Sequence, residues 1–170
     1  GTLASDYVKV SSGTTSSTPS SIEFKTTAQS GVFDFSTYKS YVIHLDYVTH
    51  TGSGNAHDNL YVRFFDVNGN LISANNYGYA QNYVSSSNID DGAATSDSGE
   101  ITRDNIGNQT GRSGHFKIYV RDLTNTSYNK YLAFDHFGEN HDSTPNTHDG
   151  HTAVSYRGSQ SAMSGFRLYW

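Results

Sequence analysis

The sequence predicts an all-β domain: two packed antiparallel sheets forming a jelly-roll-like β-sandwich of nine to ten strands. Three observations lead there. Short runs alternate apolar and polar residues and are cut by Gly, Asn, Asp and Ser, as in residues 40–48, 59–67 and 115–122. A period of two is that of a half-buried strand. No stretch of the 170 residues carries a convincing helical period. The chain is only 34% hydrophobic but holds 13 Tyr and 9 Phe; aromatic side chains favour strands and each buries a large apolar area.

Taken in order, residues 6–10 read as a short first strand and residues 11–21 as a Ser/Thr/Gly/Pro linker. Residues 1–21 belong to the same domain as the sandwich of residues 22–170. Residues 22–26 alternate as a strand, and residues 31–35 form a short apolar element ending in a turn at Ser36-Thr37. In the strand 41–48, Tyr41, Ile43, Leu45 and Tyr47 share one face, with Val42, His44 and Asp46 on the other; the face bearing Ile43 and Leu45 is expected to be the core. The next strand sets Leu60, Val62 and Phe64 against Tyr61, Arg63 and Phe65. Asn68-Gly69 then predicts a type I′ hairpin to residues 70–74.

Residues 77–84 form an aromatic strand, and the thirty residues 85–114 are polar. A loop of that length is unusual in one domain, so it either hides a strand near residues 99–102 or is a long excursion that carries function. Residues 116–121 and 131–137 are strands, residues 139–150 a loop rich in His, Asp and Asn, and residues 152–156 a further strand. In the last strand, 165–170, Phe166, Leu168 and Trp170 share a face, which predicts an inner or interface strand rather than a frayed tail. A chain stopping on so apolar a strand reads as cut, or as pairing with something beyond itself.

The net charge of -5, with 11 Lys and Arg scattered singly, leaves no basic patch for nucleic acid. No apolar run approaches the ~20 residues that span a bilayer. Cysteine is absent, which removes disulfide and thiol chemistry. The chain starts Gly1-Thr2-Leu3, as expected of a processed product, a fragment or a part of something longer.

No catalytic residue stands out. Of the three Glu, neither Glu23 nor Glu139 is flanked by a recognisable site, and there is no nucleophile elbow or phosphate loop, so an enzyme is not the expected reading. Tyr77, Tyr79 and Tyr83 share a strand face beside Asn82, which suggests an aromatic platform for a glycan; the alternative is that these rings pack in the core or an interface. His141, Asp142, His148, Asp149 and His151, close to His136 and Asp135, are candidate ligands for a transition metal, against a plain solvated loop. Asp90, Asp91, Asp97, Glu100 and Asp104 are candidate oxygen ligands for Ca2+ or another divalent cation. Tyr61, Phe65 and Tyr119, on strand faces opposite the expected core, are candidate contacts in a homo-oligomer.

The segments Phe33-Asp-Phe-Ser-Thr-Tyr-Lys-Ser-Tyr-Val-Ile-His-Leu, Leu60-Tyr-Val-Arg-Phe-Phe-Asp-Val-Asn-Gly-Asn, Tyr77-Gly-Tyr-Ala and Met163-Ser-Gly-Phe-Arg-Leu-Tyr-Trp resemble a domain of tailed-bacteriophage virion proteins, familiar from marine and cyanobacterial podoviruses. The resemblance covers roughly residues 22–84 and 115–170, and lacks the Gly-containing hairpin that follows in such domains. It implies a tail-fibre, spike or capsid-decoration module on the virion surface, outside the cell. It further implies a β-sandwich, homotrimeric assembly, other virion proteins as partners, and no catalytic residue. Residues 85–114 and 139–150 lie outside the pattern and are where specificity for a host receptor or glycan is expected. A carbohydrate-binding module or glycan depolymerase, and a pure scaffold, are the competing readings.

Overall fold

In the computed structural model, residues 8–14, 20–49, 59–85, 89–102, 113–139 and 147–170 are described. Among them ten strands form: β1 (Ser21–Lys25), β2 (Ser40–Val48), β3 (Tyr61–Asp66), β4 (Tyr77–Ser85), β5 (Ile89–Ser96), β6 (Gly99–Glu100), β7 (Gly114–Arg121), β8 (Lys130–Glu139), β9 (Thr147–Tyr156) and β10 (Met163–Tyr169). One 3-10 turn, Thr27–Gln29, is the helical element among these residues, and no helix is long and apolar enough to cross a membrane. The strands make a four-stranded sheet, β1-β10-β3-β6, and a six-stranded sheet, β2-β7-β8-β9-β4-β5, with every paired strand antiparallel.

Alternation explains the core. Phe116, Ile118 and Val120 of β7, Leu132 and Phe134 of β8 and Val154 and Tyr156 of β9 are buried from one side; Val62 and Phe64 of β3 and Phe166 and Leu168 of β10 are buried from the other. They join in a single cluster. Tyr41, Ile43 and Leu45 pack against it, so the expected core face of β2 is the observed one. Phe33 and Phe35 close one end; the Phe33 ring lies 4.8 Å from Tyr41 and 6.0 Å from Phe166. The final strand is central in its sheet, between β1 and β3, with Trp170 packed on the core.

Several expectations need correction. Residues 8–10, the described part of the expected first strand, carry no strand, and Val8 and Val10 are exposed. The turn after β3 is not type I′: Gly69 has φ +84° while Asn68 lies outside the left-handed region. Gly69 N–H donates to the Asp66 carbonyl and Asp66 N–H to the Asn70 carbonyl, which makes a three-residue loop ending in a left-handed glycine. Its return is a single bridge, Phe65 to Leu71. The segment 85–114 is no continuous loop. Eight of its residues form β5 along the edge of β4, and the short strand expected near Gly99 is β6. Likewise Glu139 belongs to β8 and residues 147–150 to β9.

Lys130, one of the scattered cations of the sequence, is buried at the end of the sandwich. Its ammonium donates to the carbonyls of Asn125, Tyr128 (3.0 Å) and Gln160 (3.2 Å), joining two connections. Burial holds its pKa below the ordinary lysine value, with Asp122 opposing.

Candidate functional site

The aromatic strand β4 puts its tyrosines inside. Tyr77 is 0% exposed; its hydroxyl accepts from Phe64 N–H (2.8 Å) and donates to the Ile72 carbonyl (2.9 Å). Desolvation raises its pKa. A ring with no free face cannot stack on a sugar, so Tyr77 is a core residue. Tyr79 is half-buried against the core and donates to Glu100 Oε2 at 3.2 Å. The side chain of Tyr83 lies outside the described residues. Tyr77 and Tyr79 share a face as expected, but it is the inner one; Asn82, of opposite parity, is exposed on the outer face.

The other candidate sets disperse in the same way. His136 is buried beside Phe116, ring centroids 6.0 Å apart, and so is separated from the outward His151. Asp149 and His151 are exposed two residues apart on β9; His148 is placed in β9 by its backbone, and His141 and Asp142 lie outside the described residues. Among the described residues no three His, Asp or Glu come together as metal ligands. Asp97 is bound by Arg63 at 2.5 Å, and Glu100 accepts from Asn59 at 3.3 Å and from Tyr79. Asp104 and the side chains of Asp90 and Asp91 lie outside the described residues. Of the oligomer candidates, Phe65 is 2% exposed beneath the Lys25 ammonium (4.5 Å) and the Arg167 guanidinium (5.5 Å). Tyr61 lies against Tyr169, and Tyr119 is on the other sheet, so the three form no common surface.

The outer face of the six-stranded sheet instead gathers the exposed chemistry. Register lines up one row as His44, Lys117, Asp135, His151 and Asn82 across β2, β7, β8, β9 and β4. Tyr119, from the neighbouring row, donates to Asp135 Oδ2 at 2.7 Å, His151 Nδ1 stands 2.8 Å from Asp135 Oδ1, and Lys117 lies 4.9 Å from the Tyr119 ring. Burial by itself raises the Asp135 carboxyl; hydrogen bonds from Tyr119 and His151, with the charges of His151 and Lys117, outweigh it and hold the group below the usual carboxylate range. The adjacent row is His115, Phe137 and Asp149. On the other side of the polar row lie Val42, Tyr119, Ala133, Ala153 and Ala80, a low floor of small side chains after the first two.

Tyr47 joins this face through a departure from alternation. Leu45 pairs with Phe116 and Val48 with Gly114, so Asp46 and Tyr47 together oppose His115. This is a β-bulge, and bulges re-aim side chains. Tyr47 has φ +58° and is 78% exposed instead of following Ile43 and Leu45 inward. Its ring stands 5.2 Å from the His115 imidazole, and His115 Nδ1 is 3.2 Å from Asp46 Oδ1. Phe137, paired with His115 on the next strand, is 55% exposed. Phe137 was legible as a large apolar residue at an outward position between Phe134 and His136 and the loop; nothing in the alternation marks the bulge at Tyr47. No protein-family model, curated protein or solved structure matches the chain.

Proposed function

We propose that this chain is a non-enzymatic recognition module of a tailed-phage virion surface, and that it binds a host surface glycan with the outer face of the six-stranded sheet. The observation that carries the glycan reading is the pair of displayed rings, Tyr47 and Phe137, flanking His115 beside the hydrogen-bonded Tyr119–Asp135–His151 group. A sugar ring offers an apolar face to aromatic side chains and hydroxyls to carboxylate, imidazole and amide groups. A tyrosine in the left-handed region is uncommon, and such strain persists only where the surroundings hold it. Here it displays a ring that the core would otherwise take. The virion placement, a trimeric assembly and contacts with other virion proteins rest on the segmental resemblance of residues 22–84 and 115–170.

The test mixes purified protein with host cells and with extracted surface polysaccharide. Retention on both is expected, and loss of retention in the Tyr47→Ala/Phe137→Ala variant. Release of reducing ends from the polysaccharide would identify a depolymerase instead. No retention on either material, together with no association with virion proteins, overturns the reading.

A further inference from the structure

Resting on that reading, we propose that the outer face of the six-stranded sheet takes the interior of a neutral, unbranched glycan chain lying across the strands, and needs no chain end. A site for a terminal sugar gathers its polar groups around one ring. Here the groups form two parallel rows, each with one residue per strand. Tyr47 stands at β2, His115 at β7, Phe137 at β8 and Asp149 at β9; alongside run Lys117, Asp135, His151 and Asn82 on β7, β8, β9 and β4. Neighbouring strands are ~4.8 Å apart, so each row of four extends roughly 14 Å and the two together span roughly 19 Å from β2 to β4. An extended pyranose chain advances by about one such spacing per sugar, so successive sugars meet successive strands.

Charge selects the class. Along the two rows carboxylates and cationic or imidazole groups are interleaved: Asp46 lies against His115, and Asp135 touches His151 and sits across from Lys117. Asp149 stands beyond Phe137. Among the described side chains of these rows, the Lys117 cation stands next to a carboxylate and not in a block of its own sign. A polyanion meets the Asp135 carboxylate across from the Lys117 cation, whereas a neutral polyol finds acceptors and donors along both rows. The exposed rings at β2 and β8 are separated by β7, which places stacking at two non-adjacent sugars of one chain.

The experiment is a calorimetric length series with neutral oligosaccharides, from monosaccharide to hexasaccharide, each also with its reducing end converted to the alditol, and with an acidic oligouronate of matching length. Affinity should rise with length and level off near four or five sugars, unaffected by end reduction, with the oligouronate weaker. Phe137→Ala should lower hexasaccharide affinity about tenfold, the equivalent of one lost aromatic contact, while leaving the thermal midpoint near that of the parent. A monosaccharide bound as tightly as the hexasaccharide, or a preference for the acidic chain, overturns this inference while leaving glycan recognition standing. Absence of binding by every class, acidic ones included, overturns both.

Discussion

At Gly165 one backbone angle decides how the last strand fits between its neighbours. Its φ is +150°, and a Cβ built there would stand 2.1 Å from the Phe24 carbonyl oxygen, where the register of β10 shifts against β3. A side chain would need both a strained backbone and a displaced β1. Gly165→Ala should therefore lower unfolding free energy by about 3 kcal/mol or more. Gly13→Ala, with nothing within 4 Å, serves as the neutral control. Denaturant titration of both decides this; equal midpoints would contradict it. Lys130 makes a second residue-scale case, because its ammonium answers three carbonyls that no other described donor reaches. Lys130→Met keeps much of the stem's bulk and removes the donors, and should cost roughly 3 kcal/mol in the same titration.

At the scale of elements, β10 is the strand to which the smaller sheet is tied, paired with β1 on one side and β3 on the other. Phe166 and Leu168 are buried between the sheets. Amides of Phe166 to Tyr169 should be among the slowest to exchange, and those of residues 11–14 among the fastest; similar rates would remove the central role of the strand. Phe166→Ala should destabilise by ~3–5 kcal/mol. This strand was legible because alternation and β-branched or aromatic composition agreed, as they did for β3, β7 and β8. β5 was not legible: Ile89-Asp-Asp-Gly-Ala-Ala-Thr-Ser96 has neither apolar alternation nor strand propensity, and it pairs as an edge along β4. The site suffered from the same period-two logic that revealed the fold. Alternation correctly grouped Tyr77 with Tyr79, but which face is inward is one bit that needs the opposite sheet. It also put Tyr47 with Leu45, because a bulge inserts a residue without leaving a compositional mark. Lys130 was hidden because its partners are backbone carbonyls, which no side-chain pattern reports.

For the whole molecule, acid stability follows from several carboxyls held low at once. Ser36 and Thr37 hydroxyls hold Asp34 down at about 2. Hydrogen bonds from Asn70 lower Asp66, and the Lys25 hydrogen bond, opposed by burial and helped by Arg167, lowers Glu23. At Asp122 burial pushes upward but is outweighed by Thr124 and Lys39; Asp135 behaves alike. A carboxyl whose folded pKa lies below its unfolded one adds stability above the unfolded value and loses it as pH falls through the folded one. Unfolding free energy should thus be insensitive to these groups above about pH 5 and decline between about pH 4 and 2. Stability that rises on acidification through that window would contradict the assignment.

The two faces of the molecule differ in kind. On the four-stranded sheet Arg63 is held by Asp97, Arg167 and Lys25 by Glu23, and Phe65 lies under two cations, so its outer side chains are occupied with one another. On the six-stranded sheet Tyr47 and Phe137 remain displayed. Mapping amide chemical-shift changes by NMR while the protein is titrated with host surface glycan tests which face recognises it. The changes are expected to concentrate at Tyr47, His115, Lys117, Asp135, Phe137, Asp149 and His151. Changes centred on Tyr61, Arg63 and Tyr169 of the four-stranded sheet, with the six-stranded face silent, would contradict it.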